Sequence, residues 1–354
     1  MAFSPILVDG FDNYAGGTQR WTLGSSMTCS LSRSRHAWGQ GAENTGFSGI
    51  GFPWIELPQV SSLIFEGAFN LRLFAGGLRV LSAGKLGVTS GDHVELRLSD
   101  SKHPYIVNPQ SGAVIAGPTV GPEHVMELGL WYWFQFHVIP HDSAGYVKFS
   151  VNGDTWLEAS GVDTKHGSFD PIIDQFKLAH GATSNYWYDD FVWQDGDTGQ
   201  FMGDMIVIGK RPISAGYITQ FDVVGAASNY LAVDEVAADD DTTYVTSDIE
   251  GERDSYIIED ITEVPESSVV LGVQQAIRHR KDEPGPRSVT PFIRVDTDEI
   301  TGQEWFPSET AYLTSIEDVH ILQPDGVSEW GTVGEFNALD VEIGQEVGDG
   351  LEDS

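Results

Sequence analysis

The amino-acid sequence predicts an all-β protein of two consecutive β units, the first a sandwich of two antiparallel sheets. Three observations carry that prediction. Short runs that alternate apolar and polar residues, rich in aromatic and β-branched side chains, recur along the chain. Forty Gly and sixteen Pro separate them, as a protein with many tight turns requires. One run also closes on Asn152-Gly153, the strongest short-range hairpin signal.

In chain order, Ser62–Leu73 reads as a strand, His93–Leu98 as a cleanly alternating one, and Trp131–Val138 as the most strongly β of all. In Gly145–Trp156, Tyr146, Lys148 and Ser150 alternate with Val147, Phe149 and Val151 before the Asn-Gly turn, so two strands fold back on each other. Ile172–Leu178 and Tyr186–Trp193 continue the pattern, and 8 of the 10 Trp fall within residues 1–196. Asp195-Gly196-Asp197-Thr198-Gly199-Gln200 has turn chemistry and marks a linker. The expected boundaries are a first unit at 1–196, a linker at 197–204, a smaller β-sandwich at 205–344 and a flexible acidic tail at 345–354. Strands of the second unit are expected at Met205–Gly209, Thr243–Thr246, Ser255–Ile258, Ser268–Ile277 and Thr290–Val295. Pro284, Pro286 and Pro291 argue for edge strands or loops around the basic cluster.

The formal net charge is −34, from 53 acidic and 19 basic residues; it divides into −9 up to residue 200 and −25 beyond. So negative a field repels phosphate backbones, which argues against direct nucleic-acid binding. Two readings of the acidity stand: adaptation to high salt, where screening makes dense carboxylates tolerable, or a surface laid beside basic partners or cations. No apolar run reaches the roughly 20 residues that span a bilayer, and the N-terminus lacks signal-peptide character, so no membrane insertion is expected. The single cysteine, Cys29, rules out an internal disulfide framework.

Several landmarks occur in a telling order. Leu7-Val8-Asp9-Gly10-Phe11-Asp12-Asn13-Tyr14, the Trp131-Tyr132 strand, the Val151-Asn152-Gly153 hairpin and Tyr188-Asp189-Asp190-Phe191 resemble a concanavalin A-like jelly roll of the laminin-G type. Gly203-Asp204-Met205-Ile206-Val207, Asp239–Val245, Trp330 and Glu335–Val341 are similar to the C-terminal region of tailed-virus structural proteins, of phage or archaeal viruses. The resemblance implies a virion location, no catalytic residues, and assembly with copies of itself, guessed as a trimer, and with other virion proteins. The expected function is therefore a non-enzymatic structural component of a tailed-virus particle. A carbohydrate-binding receptor adhesin, touching a host surface glycan, is the alternative, and a jelly-roll glycoside hydrolase a further one.

A glycosidase on this scaffold needs two carboxylates facing across a cleft, and the Glu-x-Asp-x-Glu pattern that supplies them is missing. Asp189 and Asp190 are adjacent, so on a regular strand they point to opposite faces; either suits backbone donors at a strand end or a cation. Calcium is the candidate ion, with Asp195 and Asp197 in the linker and Asp239, Asp240 and Asp241 in the acidic run as candidate ligands; none follows a known calcium-loop spacing. For glycan stacking the candidates are Trp38, Trp54, Trp156, Tyr186 and Trp187, against the competing demand that aromatics fill the core. Arg278, Arg280, Lys281 and Arg287 form a basic island suited either to a subunit contact or to blunting an edge strand. His93 and His137, both in strand patterns, are expected to be held structurally.

Overall fold

The computed structural model describes residues 5–10, 27–30, 34–36, 41–44, 54–74, 78–85, 91–118, 123–167, 169–178, 185–235, 238–282, 286–307 and 310–348. The fold is all-β, in two compact units that meet in sequence between Val207 and Ile208. Among the described residues no helix is long and apolar enough to cross a membrane.

The first unit contains β1 (Pro5–Asp9), β2 (Met27–Ser30), β3 (Gly41–Asn44), β4 (Trp54–Val60), β5 (Leu63–Leu73), β6 (Leu78–Gly84) and β7 (Asp92–Leu98). It continues with β8 (Pro104–Val107), β9 (Val114–Ala116), β10 (Trp131–Ile139), β11 (Gly145–Val151), β12 (Asp154–Val162), β13 (Ile173–Leu178) and β14 (Asn185–Asp195). One antiparallel sheet runs β12-β11-β10-β5-β14-β3-β2, with β1 also paired to β14; the other runs β4-β13-β6-β7-β8-β9. At the β11–β12 turn, Asn152 and Gly153 have φ of 51° and 88°, both left-handed, as the hairpin signal requires.

Strand alternation decides which side chains meet between the sheets. On β5 the odd residues Leu63, Phe65, Phe69 and Leu71 point inward, and the facing sheet supplies Val94, Leu96, Leu98 and Phe176. Phe65 of one sheet stacks on Phe176 of the other with ring centroids 4.4 Å apart, and Phe191 and Trp193 close on the same pair edge-on. Gly67 sits among these rings, where a Cβ would overlap Phe191. Gly67→Ala is therefore expected to destabilise the protein by about 1–3 kcal/mol through overpacking, read as a lower urea midpoint at unchanged slope.

The second unit is smaller. It contains β15 (Pro212–Thr219), β16 (Asp222–Val224), β17 (Tyr244–Thr246), β18 (Arg253–Ile258), β19 (Ala276–His279), β20 (Ser288–Val295), β21 (Asp298–Thr301), β22 (Leu313–Ile316) and β23 (Val341–Gly348). A five-stranded sheet runs β15-β18-β23-β20-β21, and β16–β17 and β19–β22 form two-stranded ribbons. One core cluster joins Ile293, Val295 and Val341 of the sheet to Trp330 and Phe336, the latter on the short helix α1 (Val333–Phe336).

Several expectations are corrected here. Met205–Gly209 forms no strand. The expected strand over Ser268–Ile277 is reduced to bridges at Val269 and Val273, with a regular strand starting only at Ala276. Residues 345–348 are not a loose tail but the end of β23, hydrogen-bonded between β18 and β20. Pro291 lies inside β20, on neither an edge strand nor a loop. It is tolerated because β21 pairs only from Phe292 onward, so the missing N–H falls where that neighbour has ended.

Candidate functional site

The outer face of the first sheet is closed by the chain's own residues after β14. Glu66, on the even face of β5 and fully buried, accepts hydrogen bonds from five donors. They are Gln135 Nε2 (2.7 Å), Gln194 Nε2 (3.0 Å), Trp133 Nε1 (3.3 Å) and the backbone N–H groups of Met202 (2.9 Å) and Gly203 (3.2 Å). Val207 N donates to Asp190 Oδ1 at 2.9 Å, and Arg35 pairs with Asp204. The stretch read as a linker is thus fastened to the sheet. Burial raises the Glu66 pKa above the usual carboxylate value, against the lowering effect of its donors.

Asp189 and Asp190 belong to this fastening. A bulge lies between Asp189 and Val192, and Asp190 adopts φ of 55°, so the simple two-face alternation expected for the pair does not hold. Both carboxylates reach the same short segment. Asp189 Oδ2 accepts from Arg35 N (2.7 Å) and Ser34 Oγ (3.1 Å), while Asp190 Oδ2 lies 3.1 Å from His36 Nε2. The expected role as acceptors for backbone donors is what the geometry displays.

The outer face of the second sheet carries a different chemistry. Val94, Leu96 and Leu98 of β7 turn inward, so Glu95 and Arg97 turn outward. Across the ladder Lys177 of β13 is paired with Trp54 of β4 and with Ser82 of β6, Ser82 with Glu95, and Arg97 with Tyr105 of β8. Cross-strand partners share a face, which brings Trp54, Lys177, Glu95, Arg97 and Tyr105 onto one surface. Two carboxylates organise the cations there. Glu95, fully buried, takes Arg97 Nε at 2.7 Å and Nη2 at 2.5 Å and also pairs with Arg79. Asp92 takes Lys177 Nζ at 2.6 Å and Arg79 Nη1 at 3.4 Å.

The side chains of Arg79 and Arg97 remain 25% and 35% exposed. Burial opposes the charge on Arg97, but its bonds to Glu95 outweigh that and raise its pKa further. The result is a set of partly exposed cations held in place by two buried carboxylates on this face. His93 next to it is spent on structure: Nε2 donates to Ile172 O at 3.0 Å and Nδ1 accepts from His166 N at 3.0 Å, with burial lowering its pKa. His137 is likewise held, by Ser62 Oγ at 2.9 Å, and burial pushes it down to about 4.

Of the glycan candidates among the described residues, Trp54 alone reaches this surface. Tyr186 is buried in the core, Trp156 stacks on His124 at 4.9 Å and against Phe149, and Trp187 lies under the Arg72 guanidinium at 4.1 Å on the first sheet. Trp38 lies outside the described residues. The candidate calcium ligands are engaged within the chain. Asp195 accepts from Asp197 N, Asp197 from Ser61 Oγ, and Asp239 from Thr243 N. Asp240 takes Arg278 in a fork at 2.6 and 2.9 Å, and Asp241 pairs with Arg280 at 2.5 Å, with both guanidiniums against the Tyr312 ring. Asp240 and Asp241 of the cation candidates and Arg278 and Arg280 of the subunit-contact candidates thus neutralise each other. Lys281 is half-buried; Arg287 is exposed and donates to Pro286 O at 3.3 Å. Among the described residues no group of three His, Cys, Asp or Glu side chains is placed to hold a metal ion.

Arg79, Lys177 and Asp92 were not singled out from the sequence. The alternation in His93–Leu98 does place Glu95 and Arg97 on one face, but their partners come from β6 and β13, and only strand pairing shows which.

No family model and no curated protein matches the chain. Solved structures do. An endo-β-1,4-glucuronan lyase from the fungus Trichoderma reesei is 13% identical over 55% of this chain and 98% of that one, with a TM-score of 0.40. The alginate lyase Aly36B is 17% identical over the same shares, with a TM-score of 0.39. A Trypanosoma rangeli sialidase is 18% identical over 44% of this chain and 25% of that one, with a TM-score of 0.32. The expectation of a structural component of a tailed-virus particle is corrected here: the three are two polysaccharide lyases and a sialidase, and none is a particle protein. At such identities the likeness is one of fold.

Proposed function

We propose that the first unit holds an acidic saccharide chain across the outer face of its second sheet. The observation that carries this reading is the trio Arg79, Arg97 and Lys177, pinned by Asp92 and Glu95 and turned outward on a chain whose formal net charge is −34. A protein with so large an anionic excess repels anions in general, so a place that orders three partly exposed cations favours an oxyanion at a defined position. Trp54 adds a flat aromatic surface in the same row as Lys177. The C–H face of a pyranose ring suits the electron-rich face of an indole, while its carboxylate suits a guanidinium. From β4 to β8 the surface crosses four inter-strand steps, about 19 Å at about 4.8 Å each, which accommodates several linked sugars.

The reading is of holding, without turnover. Asp92 and Glu95 are committed to ion pairs and both His93 nitrogens to hydrogen bonds within the fold. Titration calorimetry with uronate oligosaccharides and with neutral oligosaccharides of equal length tests it. Wild type is expected to bind the acidic series, more weakly as salt rises, and Arg97→Ala to weaken that binding about tenfold or more. Equal binding of the neutral series, or unchanged binding by Arg97→Ala, defeats the proposal. Assaying the same samples for new chain ends separates holding from cutting.

A further inference from the structure

We propose that the second unit carries a ligand site of its own, a pocket for a neutral sugar ring between the β19–β22 ribbon and residues 303–307. The pocket has a volume of about 350 Å³, in the size class that holds small ligands. Its construction follows from strand pairing. Ile277 pairs with Ser315 and His279 with Leu313, so these four share one face of the ribbon. Arg278 belongs to the opposite face and is consumed by Asp240. Trp305 is fixed by its bridge to Val289 of β20, with backbone bonds of 3.0 and 2.9 Å in the two directions.

A pair of parallel rings lines it: His279 and Trp305 lie 5.9 Å apart between centroids, with an interplanar angle of 8°. His279 Nε2 is bonded to Ser315 Oγ at 2.8 Å, which fixes the ring, and burial lowers the imidazole pKa. Phe306 and Leu313 stand at the rim, 43% and 42% exposed, an arrangement of apolar surface that a ligand would cover. Gln303 and Glu304 supply polar groups beside them. The lining thus offers an aromatic platform, a few acceptors and donors, and one carboxylate without a lining cation. With −25 of the formal charge lying beyond residue 200, an anionic ligand is disfavoured; a hydroxyl-rich uncharged ring meets both the platform and the polar edge. The site rests on residues other than those of the acidic-saccharide face, and the two can fail separately.

The test uses the full-length chain and follows the Trp305 indole N–H in nitrogen-correlated NMR spectra, the signal being assigned by its loss in Trp305→Phe. Probes are methyl β-glucoside, cellotetraose and, as the anionic control, glucuronate. Saturable shifts with the neutral probes and none with glucuronate are expected. Titration calorimetry with cellotetraose should show binding weakened about tenfold or more by Trp305→Ala and unchanged by Arg97→Ala. Leu313→Arg fills the mouth from an exposed position without disturbing the stacked rings, and it too should abolish the shifts. The proposal falls if wild type shows no saturable shift with either neutral probe, if glucuronate competes equally, or if Leu313→Arg binds as wild type does.

Discussion

Glu66→Leu is expected to lower the stability of the first unit by about 3–5 kcal/mol, the sum of a few stranded buried donors. The side chain is fully buried, and its removal leaves the donors of Gln135, Gln194, Trp133, Met202 and Gly203 without their acceptor. Each buried donor so stranded costs about 1–3 kcal/mol unless it finds water, which the loosened segment after β14 would admit. Glu66→Gln should fall between the two, since its single carbonyl accepts two bonds while its amide adds a donor where only acceptors are needed. Urea unfolding of the three proteins measures the order, and a Glu66→Leu variant as stable as wild type would show that the segment is not fastened through this carboxylate.

The same residue fixes a sign for the pH dependence. Burial raises its folded-state pKa above 4.5, so the folded protein holds that proton more tightly than the unfolded chain. Its contribution is complete below about pH 4.5 and is lost as pH rises through the folded value. The stability of wild type relative to Glu66→Gln should therefore decline from mildly acid to neutral conditions. The opposite slope would mean that the five donors outweigh burial.

What was legible in the sequence follows local rules. Leu63–Leu73, Asp92–Leu98 and Trp131–Ile139 fall where alternation placed them, and the Asn152-Gly153 turn has the backbone its residue types demand. What was hidden depends on partners distant in the chain. A glutamate in the middle of β5 looks like any outward-facing charge until residues 202 and 203 are seen to cover it. The acidic run 239–241 and the basic island 278–281 each invited an external partner, and pairing across 38 residues supplies an internal one. The second unit was harder because its strands are short and joined by isolated bridges. Apolar runs such as Ser268–Ile277 satisfy the β pattern, yet their backbone finds partners only at single positions. The cation trio belongs to the same class of hidden feature, since Arg79, Arg97 and Lys177 come from three strands and are drawn together by Asp92 and Glu95.

Trp330→Ala is expected to cost the second unit about 3–5 kcal/mol, the usual loss for emptying a buried indole site. Trp330 is 1% exposed, its indole N–H donates to His320 O at 2.7 Å, and its ring leans on Phe336 at 5.6 Å within the cluster of Ile293, Val295 and Val341. Around it the chain has little regular structure: Val270 N bonds Gly331 O, Val333 N bonds Ser268 O, and α1 is one turn held by the Thr332–Glu335 capping box. Such segments derive their order from what they pack against, so the ring contributes more than the cap. Thr332→Ala, which removes the cap alone, should cost only about 1 kcal/mol. Because the two units have separate core clusters, hydrogen exchange after Trp330→Ala should quicken in β18, β20 and β23 and stay unchanged in β5, β10 and β14. A parallel loss of protection in the first unit would show that the two cores unfold as one.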